Sequence, residues 1–181
     1  MSSSSWKKPL KLALKNLALR SNEDRQPGRI PRLAVIGIGS ELNGDDAAGV
    51  QVVRSLRRLL PSDLGIMLVE AGPAPENFTG PIRRFQPDMA LLVDAVDAGE
   101  SAGKIVWLEW QHIAGVSALT HGLPPTVFSK FLFQEMQPAV ALLGIQAGSV
   151  EFDTPPSPAV KKAVRQLSSG LAEILTDWSG L

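Results

Sequence analysis

The chain has 181 residues, 44% of them hydrophobic and 20% charged, a size and balance that suit one globular domain with a full core and exclude a disordered chain. Eighteen basic residues match eighteen acidic ones, so no surplus of positive charge drives nonspecific nucleic-acid binding. There is no cysteine, which excludes disulfides, thiolate metal sites and a cysteine nucleophile and fits a cytoplasmic location. No apolar run reaches the roughly 18 residues of a membrane span, so no membrane partner is expected.

Residues 1–30 stand apart from residues 31–181. Met1 to Ser5 is a polar, serine-rich lead. Trp6 to Arg20 places Leu10, Leu14 and Leu17 at helical spacing with lysines between them. Such a basic amphipathic helix can lie on a membrane or carry an organelle address. The simpler expectation is a peripheral helix docked on its own domain, followed by a turn-rich connector from Asn22 to Pro31.

Arg32 to Gly39 is a short β-branched run suited to a strand buried on both faces. A polar loop, Ser40 to Gly44, leads into a helix in which Val50, Val53, Leu56 and Leu60 share one side. Ile66 to Glu70 reads as a second strand. Pro75 to Phe85 suits a helix that Gly80 and Pro81 should break or bend. Met89 to Ala95 is a third buried strand, and the alternating Lys104 to Glu109 a fourth, partly exposed one. Gln111 to Thr120 fits neither pattern. Thr126 to Met136 is helical, Ala139 to Gln146 is another buried strand, and Ser157 to Trp178 is the clearest helix, with Ser157 as its cap and Pro158 at its first position. Alternating strands and helices predict a single three-layer α/β/α sandwich with a mostly parallel central sheet over residues 31–181.

In open α/β sheets, sites form beyond the carboxyl ends of the strands. Acidic residues gather there: Asp45 and Asp46 after the first strand, Glu70 at the second, Asp94 at the third, and Asp97 three residues on. Neighbouring strands lie roughly 5 Å apart, so these carboxylates converge if their strands are adjacent. Crowded carboxylates must raise their pKa or acquire a cation. Of the two histidines, His112 and His121, the second sits in a glycine- and proline-bearing loop that can hold an imidazole outward. Two carboxylates and one imidazole make a hard-to-borderline ligand set with open positions. The same residues also suit plainer roles, with Asp45 or Asp46 capping a helix, Asp94 accepting from loop amides and His121 hydrogen-bonded in its loop.

Gly37-Ile-Gly39 begins a dinucleotide fingerprint with Glu70 placed for a ribose, but Leu42 occupies the third glycine position. Asp45 and Asp46 then set negative charge where a pyrophosphate would need amides. No G-x-S-x-G elbow supports a serine hydrolase.

Five segments in order carry a resemblance: Gly39-Ser-Glu-Leu-Asn-Gly-Asp-Asp-Ala-Ala-Gly49, Glu70-Ala-Gly-Pro-Ala-Pro-Glu-Asn77, Leu92-Val-Asp-Ala-Val-Asp-Ala-Gly99, Thr120-His-Gly-Leu-Pro124 and Leu143-Gly-Ile-Gln146. Together they resemble the hydrogenase-maturation endopeptidases, most like the branch serving formate-hydrogenlyase and other energy-converting hydrogenases. The resemblance implies removal of a C-terminal extension from the nickel–iron hydrogenase large-subunit precursor after nickel insertion. It also implies that Asp46, Asp94 and His121 are the catalytic, metal-binding residues, with Asp45 and Asp97 as supporting groups. Nickel is then delivered within the precursor, with no organic cofactor. Ser40, Ala47, Glu70 and Ala147 depart from residues common in that family. The alternatives are a nickel-sensing protein that docks on a precursor without cutting it and, further off, a nucleotide-binding α/β domain.

Overall fold

The computed structural model describes residues 6–23, 31–62, 64–109, 117–118 and 125–179. In chain order the elements are α1 (Lys7–Glu23), β1 (Leu33–Ile38), α2 (Ala48–Leu59), β2 (Ile66–Gly72), α3 (Thr79–Phe85), β3 (Met89–Asp97), β4 (Ile105–Glu109), β5 (Ser117–Ala118), α4 (Pro125–Met136), β6 (Ala139–Gln146) and α5 (Pro158–Ser179). The sheet runs β2-β1-β3-β6-β4, with β5 paired to β3. β1, β2, β3 and β6 are parallel, whereas β4 and β5 pair antiparallel. The mostly parallel α/β architecture expected from the alternation is therefore present. β3 continues two residues past the expected Ala95, because β6 keeps pace with it to Gln146 and β5 pairs with Val96 and Asp97.

Strand alternation sorts the core into two sets. Leu33, Val35, Leu91, Val93, Leu143 and Ile145 face the layer built by α1, α2 and α5. Ala34, Ile36, Ile38, Leu92, Val96 and Leu142 pack with Ile82 of α3 and Phe128 and Leu132 of α4. A β1 strand buried at all six positions explains its unbroken apolar sequence.

One local outcome differs from simple pattern reading. A 3₁₀ turn, Pro75–Phe78, precedes α3, and α3 runs through Gly80 and Pro81 without a break. Pro81 is the third residue of that helix, where an amide has no partner within the helix to lose. The leading helix docks on its own domain as its spacing suggests: in α1, Trp6, Leu10, Leu14 and Leu17 are buried in the same core cluster as α2 and α5. Lys7 Nζ also pairs with Glu173 Oε2 of α5 at 3.1 Å. No described helix is long and apolar enough to cross a membrane.

Leu14 is 2% exposed, so Leu14→Ala should cost about 2–5 kcal/mol. Urea unfolding followed by far-UV circular dichroism measures this through a lower midpoint at constant slope. A loss below about 0.5 kcal/mol, the range of ordinary surface substitutions, would show that α1 adds nothing to the core.

Candidate active site

The loop between β1 and α2 is shaped by two glycines. Gly39 has φ 123°, and a Cβ there would collide with the Asp46 carbonyl oxygen. A Cβ on Gly49, in the first turn of α2, would collide with the carbonyl oxygens of Val93 and Ile38. Their absence lets α2 begin directly against the ends of β1 and the body of β3. Between them a 3₁₀ turn, Gly44–Ala47, carries both aspartates into the interior, and all four of its residues are buried. Ala47 has φ −64°, so the position makes no demand for glycine.

Asp46 lies on the inner side of this turn. The Ser40 amide donates to its Oδ2 at 2.7 Å, so the loop folds back around the carboxylate. Asp94 sits in β3, one residue beyond Val93, the last β3 residue paired with β1. It is 0% exposed. The Ala95 amide donates to its Oδ1 at 2.8 Å, and its Oδ2 has no hydrogen-bond partner among the described residues. Burial pushes the Asp94 carboxyl well above the ordinary carboxylate range, and the nearby Asp46 charge pushes it further. Two acids thus share one enclosed end of the sheet, where a proton or a cation must offset their repulsion.

Asp45, next to Asp46 in sequence, does different work. Its Oδ2 accepts from the amides of Gly148 at 2.7 Å and Ser149 at 3.1 Å and from the Ser157 hydroxyl at 3.1 Å. Its Oδ1 accepts from the Ser157 amide at 2.6 Å. Burial alone would raise this carboxyl, but the donors from Ser157, Gly148 and Ser149 outweigh it and hold the group below its usual value. Backbone bonds reinforce the junction, from Asp45 to the Ser149 carbonyl at 2.9 Å and from Gly44 to the Thr154 carbonyl at 3.1 Å. Ser157 meanwhile caps α5 through its Oγ, which accepts from the Val160 amide at 3.3 Å. Asp45 is a structural clamp between two loops, with its acceptor capacity spent on them.

The remaining candidates separate. Glu70 turns to Arg54, at 2.9 Å, and to Arg57, at 3.3 Å, while Arg54 also grips Glu41 at 2.6 Å. A Glu70 so engaged is not offered to a ribose. Asp97 Oδ1 accepts from the Gly99 amide at 3.2 Å and from Gln146 Nε2 at 3.4 Å, closing the turn after β3. Gln146 is buried and also takes the Ala98 amide on Oε1 at 2.8 Å. This organising role was visible in sequence only as the end of Leu143-Gly-Ile-Gln146. His121 and His112 lie outside the described residues. Among the described residues no three His, Cys, Asp or Glu side chains gather around a possible metal position. Asp46 and Asp94 are the pair brought together.

A family model described as hydrogenase maturation protease matches residues 50–174. A Methanocaldococcus jannaschii protein named as a hydrogenase maturation protease is 30% identical over 152 residues, covering 81% of this chain and 89% of the relative. The hydrogenase 3 maturation protease of Escherichia coli K12 is 29% identical, over 79% of this chain and 88% of that protein. Among solved structures, the nickel–iron hydrogenase maturation protease HycI of Thermococcus kodakarensis superposes with a TM-score of 0.73 at 31% identity, covering 86% of this chain and 99% of that one.

Two stability predictions follow from the opposite pKa directions of the aspartates. Asp45 has a depressed value when folded, so its contribution is present above the unfolded value near 4 and fades as pH falls through the folded one. Asp45→Asn should cost about 1.5–3 kcal/mol at pH 7, the range for hydrogen bonds to a charged group. In calorimetric melts its deficit against wild type should shrink below about pH 4; a deficit independent of pH would contradict the clamp.

Asp94 behaves in the reverse sense. With a raised folded value, its stabilising contribution is complete below the unfolded pKa and is lost as pH rises through the folded one. Asp94→Asn should therefore raise the melting temperature of metal-free protein, with a gain that widens as pH rises. Each kcal/mol gained is worth about 2–4 °C in a chain of this size. A lower melting temperature at pH 8 would show that Asp94 is not electrostatically burdened.

Proposed function

The chain belongs to the hydrogenase maturation protease family, and from that premise we propose that it removes the C-terminal extension of a nickel–iron hydrogenase large-subunit precursor once nickel is in place. It is a peptidase. Its nickel-recognition site is Asp46, Asp94 and His121, and the nickel is part of the substrate, held by thiolates of the precursor. The similarity to the hydrogenase 3 protease supports a precursor of the formate-hydrogenlyase or energy-converting kind. The protein acts in the cytoplasm.

The observation that carries this proposal is the enclosed pair of carboxylates at the carboxyl end of the sheet, with Asp94 0% exposed and subject to the Asp46 charge. Acids held together in this way are poised for a cation. Oxygen and imidazole donors suit a divalent nickel ion, and the chain has no thiolate of its own to complete a shell. Substrate thiolates must therefore supply the rest, so docking and metal recognition become one linked equilibrium.

Each residue has a defined task. The Ser40 amide orients Asp46 through its 2.7 Å hydrogen bond, and the Ala95 amide orients Asp94 at 2.8 Å. The clamp at Asp45 keeps the loop that bears Asp46 in register with the loop after β6. A cation seated between the carboxylates relieves their mutual repulsion, and the scissile peptide is presented only when the precursor carries that cation.

The test is a cleavage time course on metal-free, nickel-loaded and zinc-loaded precursor, with products weighed by mass spectrometry. Nickel-loaded precursor should be shortened, and the other two should remain intact or lag far behind. Asp46→Asn, Asp94→Asn and His121→Ala should each lower the rate by more than about 100-fold, since even the groups that merely orient metal ligands are worth about 10–100-fold. Equal cutting of all three precursors would overturn nickel recognition.

A further inference from the structure

The loop that wraps Asp46 shares a platform with the loop that follows β6. Asp153 donates its amide to the Leu42 carbonyl at 2.7 Å, Gly44 donates to the Thr154 carbonyl, and Asn43 forms a β-bridge with Thr154. On this joined surface Leu42 is 59% exposed, Val150 37% and Phe152 73%. Of the described large hydrophobic residues left exposed, the others lie elsewhere: Leu12 and Leu19 on α1, Leu59 ending α2 and Val127 on α4. Asp153 has φ 57°, a left-handed conformation that a non-glycine residue seldom adopts, fixed here by its bond to Leu42. Phe152 is thus displayed by a built turn.

The same platform is acidic. Glu41, Glu151 and Asp153 are all exposed. Arg54 answers Glu41, but neither Glu151 nor Asp153 forms an ion pair among the described residues. Apolar side chains rimmed by carboxylates suit a partner segment that presents a large apolar group flanked by lysine or arginine.

We propose that Leu42, Val150 and Phe152, with Glu151 and Asp153, form the docking surface for such a basic, apolar-anchored segment of the precursor. This rests on the proposed function for the partner's identity. Two observations favour the precursor over a second copy of the chain. Leu42 lies two residues from Ser40, whose amide holds Asp46, so whatever seats here is delivered to the carboxylates. An isologous dimer would set this acidic rim against itself.

Binding and cutting are measured separately. Nickel-loaded precursor is titrated by calorimetry into wild type, Leu42→Ser, Phe152→Ser and the double variant Glu151→Gln with Asp153→Asn, the last keeping a residue that tolerates left-handed φ. All the altered side chains are exposed, so melting temperatures should hold, and sedimentation of each protein alone reports self-association. Phe152→Ser should weaken binding by about tenfold or more, as expected for an aromatic anchor, and should raise KM while kcat stays near wild type. The double variant should weaken binding and flatten its dependence on salt. Wild type that binds in this patch-dependent way without cutting leaves the docking surface standing and overturns the protease role. Unchanged affinity in both Leu42→Ser and Phe152→Ser overturns the docking surface while cleavage by wild type stands. A wild-type dimer that Phe152→Ser dissociates, with precursor affinity unchanged, overturns it too.

Discussion

Two carboxylates held at one enclosed end of a parallel sheet constrain the rest of this structure. Asp94 is wholly buried and carries the electrostatic pressure of Asp46 in addition to its own desolvation. A fold that only needed stability would place an apolar or amide side chain there. Retaining the pair requires α2 to start in contact with β1 and β3, which Gly49 permits, and requires a loop that turns back on itself at Gly39. The strain is local, and the two core clusters on either side of the sheet supply the stability that tolerates it.

Adjacent aspartates have divided the work. Asp45 spends its charge inward on the amides and hydroxyl of Gly148, Ser149 and Ser157, and so binds the loop before α2 to the loop before α5. Asp46 is thereby held where it meets Asp94. This one junction also creates the outer platform of Leu42, Val150 and Phe152, because the loops that enclose the carboxylates on one side are exposed on the other. The buried carboxylates and this exposed platform are consequently joined through a few residues of backbone.

Much of this was legible in sequence where the physics is local. The parallel strands show as short apolar runs because both faces of β1 and β3 are covered, and α5 shows as a periodic stripe because one side of it is buried. Asp94 was identifiable as the acid closing such a run, although β3 runs on past it to Asp97. Pattern alone did not separate Asp45 from Asp46; the family resemblance did, but the clamp that Asp45 forms was hidden, since its partners lie 103 to 112 residues away in the chain. The leucine spacing of α1 shows its docked side, but not that Trp6 joins the core with it, which depends on the distant surface of α5. Pro81 misled for the opposite reason: its position in the first turn of α3 depends on where that helix starts, and a 3₁₀ turn over Pro75–Phe78 sets the start.

The central claim is that Asp46 and Asp94 take hold of a nickel ion already seated in the precursor. Nickel K-edge X-ray absorption on the complex addresses it without relying on turnover. The precursor alone should show a shell containing sulfur scatterers, and addition of wild-type protein should bring oxygen or nitrogen scatterers at the short distances of direct ligation. The same addition of the Asp46→Asn, Asp94→Asn double variant should leave the precursor's spectrum unaltered. A wild-type complex that forms fully, yet keeps the nickel shell of the free precursor, would contradict the claim.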